Sequence, residues 1–95
     1  MISEIEYIIS KGFHSSWENN RIDSFMFIYD DYGRENVYQI KRFKDGENNG
    51  LYQWNLSRKY LSFEELCNVS GFMSYTEYKL LKRSETINRI LDRSV

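Results

Sequence analysis

Three capping boxes punctuate this chain and constrain its fold more than any other feature. Ser3 stands three residues before Glu6, Ser62 three before Glu65, and Ser74 three before Glu77. In each box the hydroxyl accepts from the backbone N–H three residues on, while the carboxylate answers the N–H of the cap. Each is flanked by an apolar pair placed as a hydrophobic staple: Ile2 with Tyr7, Leu61 with Leu66, and Met73 with Tyr78. One cap contributes only about 1 kcal/mol. Agreement between the caps and the apolar periodicity sets the helix boundaries. A first helix is expected over 4–11, with a stripe of Ile5, Ile8 and Ile9, ended by Gly12 in a left-handed conformation. A second follows Ser62 and ends near Gly71. The third begins after Ser74 and continues through Leu80, Leu81, Ile87, Ile90 and Leu91, with a break near Ser84.

The segment between the first two helices carries strand signals. Residues 13–21 are polar around Phe13 and Trp17 and read as a loop or a short edge strand. From Ile22 to Tyr29, Phe25, Phe27 and Tyr29 alternate with Met26 and Ile28. Both faces are apolar, which predicts a central strand covered on two sides. Residues 30–36 form a turn around Gly33, and Val37–Phe43 is a second strand. Lys44–Gly50 is the strongest turn signal in the chain. Leu51–Leu56 is a half-buried strand with Tyr52, Trp54 and Leu56 on its inner face. The expectation is an α+β fold, one domain over residues 1–95. A three-stranded antiparallel meander packs with an N-terminal helix and a C-terminal helical pair.

Composition narrows the function classes. A 95-residue chain with 41% hydrophobic and 17% aromatic residues has the material for one modest core. Thirteen basic against fourteen acidic side chains leave a formal charge of −1, so no global field steers it to nucleic acid or membrane. No apolar run approaches the roughly 20 residues of a membrane span. The opening residues carry Glu4 and Glu6 where a secretory signal needs positive charge, and one cysteine forms no internal disulfide; both point to the cytoplasm. His14 and Cys67 are the only soft metal ligands and fall on different elements, so neither metal nor cofactor is expected. Cys67 reads as a buried structural thiol and His14 as a surface histidine, rather than as a nucleophilic pair. GxxxxGK[ST], GxGxxG and GxSxG motifs do not occur, and no spacing selects two of the carboxylates for acid–base work. The reading is non-enzymatic.

Nucleic acid is the alternative. Residues 58–95 hold seven basic and five acidic side chains, and Lys79, Lys82, Arg83 and Arg89 crowd the last helix. Residues 63–91 also have the outline of a degenerate helix-turn-helix, with Cys67 four before the turn glycine Gly71. The match then slips by one place: Tyr78 and Leu81 fall late for the inner face, and Glu77 lies where a core residue is wanted.

From Gly12 to Val69 the order of elements resembles that of the Src-homology phosphotyrosine-binding domain. Lys41-Arg42-Phe43-Lys44-Asp45-Gly46, Leu51-Tyr52-Gln53-Trp54 and Tyr60-Leu61-Ser62-Phe63-Glu64-Glu65-Leu66 are similar to that family's late strands and second helix. The resemblance implies a phosphate-binding arginine on the strand after the first helix. Phe13-His14-Ser15-Ser16-Trp17 has none, so phosphotyrosine binding is not carried over.

Surface recognition remains. Tyr and Trp dominate binding hot spots, and this chain has eight and two of them. Most belong in the core. Trp17, in its polar stretch, and Tyr32, at a hairpin tip among Asp30, Asp31, Arg34 and Glu35, are the expected contact residues. The functional expectation is a small protein-binding inhibitor or regulator that occludes a larger host or cognate protein, similar in type to phage and mobile-element accessory proteins.

Overall fold

The structure, a computed structural model, describes residues 2–93, with side chains as far as Ser84. Helix α1 (Glu4–Ser10) leads into strands β1 (His14–Glu18), β2 (Ile22–Asp31) and β3 (Arg34–Phe43). A single 3-10 turn (Gly46–Asn48) precedes β4 (Tyr52–Trp54), and helices α2 (Phe63–Ser70) and α3 (Tyr75–Arg93) complete the chain. The sheet is antiparallel in the order β1-β2-β3-β4. The fold is α+β, as expected, with four strands rather than three. The added strand is the edge-strand alternative for 13–21. It pairs with β2 through a bulge between Ser15 and Trp17.

All three caps form. Ser3 Oγ accepts from Glu6 N at 3.0 Å, Ser62 Oγ from Glu65 N at 3.2 Å, and Ser74 Oγ from Glu77 N at 3.2 Å. At Ser62 the box is reciprocal, since Ser62 N donates to Glu65 Oε1 at 3.1 Å. Those bonds to Ser62 hold the Glu65 carboxyl below its usual range. The staple residues Tyr7, Leu61, Leu66, Met73 and Tyr78 are buried. Gly71 caps α2 at φ +73°, whereas α3 runs without a break at Ser84. Leu80 and Leu81, through which the third helix was expected to continue, are helical but exposed, as is Ile9 of the α1 stripe.

The helices cover one face of the sheet. Phe25, Ile40 and Tyr52 from the strands meet Tyr7, Ile8, Phe63, Leu66, Cys67 and Tyr78 from the helices. A second aromatic group, Phe13, Phe27, Tyr38, Trp54 and Phe72, packs edge to face and stacked beside it. Gly12 is required where α1 turns into β1. Its φ is +108°, and a Cβ there would lie 2.8 Å from Phe27 Cδ2 and closer still to Cε2. The first helix is tied down by two phenols. Tyr7 Oη shares its proton between Ser74 O at 3.0 Å and Glu77 Oε2 at 3.1 Å, and accepts from Ser74 N. Tyr52 Oη donates to Glu4 Oε1 at 2.6 Å. Burial first, and that carboxylate second, raise the Tyr52 phenol well above its ordinary range.

Among the described residues no helix packs on the opposite face, so β2 is central but covered on one side only. Antiparallel partners share a face, and the register places Met26 with Gln39 and Ile28 with Val37 on this open side. Ile28 and Val37 are 48% and 47% exposed. Leu56 also departs from expectation. Asn55 takes φ +52° and clasps Gln39 through its backbone N–H (2.7 Å) and its side-chain oxygen (2.9 Å). This ends β4 at Trp54 and leaves Leu56 92% exposed instead of inside.

Candidate interaction surface at the β2–β3 hairpin

The ladder between β2 and β3 runs without interruption from Ile22↔Phe43 to Asp31↔Arg34. The turn is therefore two residues, Tyr32 and Gly33, not the seven of 30–36. Asp30, Asp31, Arg34 and Glu35 lie on paired strands. Tyr32 and Gly33 have φ of +52° and +80°, the sign that a two-residue type I′ hairpin requires at both central positions. Asn, Asp or Gly usually stands where Tyr32 is, because a Cβ is strained in the left-handed region. Asp30 Oδ1 accepts from Gly33 N at 3.2 Å and steadies the turn.

The tip extends past the core. Asp30, Asp31, Tyr32, Arg34 and Glu35 are all exposed, and Tyr32 is 102% exposed, so its ring rests on nothing. The pairings Asp30↔Glu35 and Asp31↔Arg34 put the first two carboxylates on the open side and the second pair on the helix side. Among the described residues none of these four charges closes an ion pair. Three carboxylates against one guanidinium make the tip acidic.

Trp17 is exposed as expected but does not join the tip. It sits opposite Ser24, six residues along β2 from Asp30, or about 20 Å at strand rise. Met26, Ile28 and Val37 connect the two along the open face. Under them Ser24 is buried, with its hydroxyl accepting from Gln39 Nε2 at 2.9 Å and meeting Ser16 Oγ at 3.3 Å. A shallow groove lined by Val37, Gln39, Asn55 and Leu56 borders this face. Leu56 was missed because simple alternation places it with Trp54; the reversal at Asn55 carries no apolar signal.

The basic residues lie elsewhere. Lys79, Lys82 and Arg83 are exposed on α3, with Lys79 Nζ 5.1 Å above the Tyr75 ring and Lys82 Nζ 5.7 Å above that of Tyr78. The side chain of Arg89 lies outside the described residues. Glu77, where a helix-turn-helix would want a core residue, is solvent-facing and bridges Lys11 Nζ at 2.8 Å. That hydrogen bond, together with the one from Tyr7, holds the Glu77 carboxyl below its usual range. Tyr78 is buried despite its late position, while Leu81 is exposed.

Cys67 is buried among the helices, and burial first, then Glu4, pushes its thiol up to about 11. His14 pairs with Met26 on the open face, so the sheet separates the two. Among the described residues no three His, Cys, Asp or Glu side chains cluster to hold a metal, and no helix is long and apolar enough to cross a membrane. The chain matches no family model, no curated protein and no solved structure.

Proposed function

We propose that this chain is a non-enzymatic protein-binding module, an inhibitor or regulator that occludes a larger protein with the tip of its β2–β3 hairpin. One observation carries the reading. Tyr32 occupies a strained left-handed position and packs against nothing. A strained residue persists where it serves a function or where the surroundings hold it. A fully exposed ring gives the fold no packing in return, so recognition supplies the reason. Long paired strands present the ring with little ordering cost on binding, and tyrosine beside arginine is a common hot-spot pairing. The acidic rim suits a partner whose surface is cationic around an apolar socket. A buried free thiol suits the reducing cytoplasm.

Affinity capture from the native host with wild type and two variants tests the proposal. Tyr32→Ala with Arg34→Ala should weaken binding of the captured protein by about 2 kcal/mol or more. Replacing Lys79, Lys82 and Arg83 with Glu should leave it within about fivefold. The reverse pattern, with DNA or RNA retained by wild type and lost in a steeply salt-dependent way by the α3 variant, would move the function to the last helix.

A further inference from the structure

Arg42 is a partly buried cation that the fold leaves without a countercharge. It stands two residues from Ile40 on β3 and so shares the helix-covered face of the sheet. Its Nε is buried and has no hydrogen-bond partner. Two carboxylates are close in the fold, and both are engaged elsewhere. Asp23, its cross-strand neighbour, pairs with Lys44 Nζ at 2.9 Å. Glu4 Oε1 takes the Tyr52 phenol proton at 2.6 Å. Among the described residues neither closes an ion pair with Arg42. The guanidinium lies beside the Tyr52 phenol and works against the rise in its pKa, but a neutral phenol supplies no countercharge. An orphaned buried donor in a folded protein marks strain, chemistry or a bound water or ion.

Arg42 also lines a cleft of about 380 Å³, between the start of α1 and the first turns of α3. Ile2, Ser3, Glu4 and Ile5 form one side, and Tyr78 and Lys82 the other. Ile2 and Ile5 are half-buried against the core. Lys82 Nζ stands 5.7 Å above the Tyr78 ring. Ser3 Oγ accepts from Glu6 N, and its own proton is available as a donor. Two cations against one carboxylate leave the lining with a single positive charge.

We propose that this cleft binds a small organic monocarboxylate, with the carboxylate against Arg42 and Lys82 and an apolar body against Ile2, Ile5 and Tyr78. The site is separate from the hairpin tip, since Arg42 is eight residues along β3 from Arg34, about 27 Å at strand rise. Charge chooses the ligand class. One negative charge neutralises the lining, whereas a phosphate dianion overshoots it and meets Glu4, and an amine meets Arg42 and Lys82. The planar fork of a guanidinium also matches a carboxylate in shape. The volume falls at the lower end of the roughly 300–1,000 Å³ of small-molecule sites. Hexanoate is a probe of this kind, and a ligand of its size in an open cleft points to a Kd of about 1 mM.

Amide chemical shifts of isotope-labelled protein, titrated with sodium hexanoate at constant ionic strength and neutral pH, read the proposal. Shifts should saturate near the expected Kd and cluster at residues 2–5, 42 and 78–82. Hexanamide and hexylamine should each bind at least tenfold more weakly, and hexyl phosphate no more tightly than hexanoate. Arg42→Gln should weaken hexanoate binding tenfold or more. Lys82→Gln, an exposed change that spares the core, should weaken it threefold or more with circular dichroism unchanged. Tyr32→Ala should bind hexanoate like wild type, so failure of the hairpin-tip reading and failure of this site are read separately. Shifts that do not saturate by about ten times the expected Kd, or an amide or amine that binds as well as the acid, would overturn the proposal. So would tighter binding of hexyl phosphate, or hexanoate affinity unchanged in Lys82→Gln or in a folded Arg42→Gln.

Discussion

Tyr32→Asn should make this protein more stable. Tyr32 sits at φ +52°, where an ordinary L-residue is strained by roughly 1–2 kcal/mol and asparagine by less. Its side chain is fully exposed, so deleting the ring removes no packing. The Asp30 carboxylate already bonds the next residue's N–H and is untouched by the change. The balance is a gain of about 0.5–1 kcal/mol, most of the strain being relieved and nothing lost in exchange. With a urea m-value of about 1.5 kcal/mol/M for a domain of this size, the midpoint should rise by roughly 0.3–0.7 M. Trp54, half-buried against Tyr38 at 5.8 Å, is a suitable fluorescence reporter far from the substitution. An unchanged m-value would confirm that the native state alone was altered. A lowered midpoint would refute the reasoning, because it would mean that the ring folds back onto the sheet and that its exposure is not the reason it was kept.

Gly12→Ala should cost about 2–4 kcal/mol in the same urea assay. Left-handed strain contributes about 1 of this, and displacing Phe27, wedged among Phe13, Tyr38 and Phe72, supplies the rest; a loss under 1 kcal/mol would mean that the ring moves freely. Cys67 should resist thiol reagents at neutral pH and react on unfolding. Because its folded pKa is raised, the thiol form favours the native state. That contribution is complete below about pH 9 and is lost as pH climbs towards about 11, by an amount on the order of 2 kcal/mol. Alkaline stability of Cys67→Ser compared with wild type reads it, and parallel decline of the two would assign the loss to the tyrosines.

Local signals were legible and long-range ones were not. A cap and its staple lie within five residues of each other, so Ser62, Leu61 and Leu66 announce α2 without any knowledge of the rest. The same holds for Gly12 and Gly71, whose left-handed conformations follow from a helix needing to end. Strand β1 was only half legible because all five of its residues are exposed, and an edge strand without a buried face has no alternation to detect. The tip residues Asp30, Asp31, Arg34 and Glu35 are poor strand formers by composition, yet backbone pairing carries them to the turn. Position along β2 could be counted from the sequence, but the separation of Trp17 from Tyr32 depends on the register and bulge of β1. Leu80 and Leu81 show the converse. Their spacing is right for an inner stripe, but no element of the described fold reaches them.

The Tyr7 hydroxyl has a consequence for how the chain is made. Its partners, Ser74 and Glu77, lie 67 and 70 residues downstream, and Glu4 waits for Tyr52, 48 residues on. At about 5–20 residues per second, synthesis takes roughly 4–14 s to cover that interval. Helix α1 is thus made well before its partners and is among the last elements of this fold to dock. For those seconds Tyr7 and Ile8, both sealed in the finished molecule, are open to any chaperone that holds apolar segments.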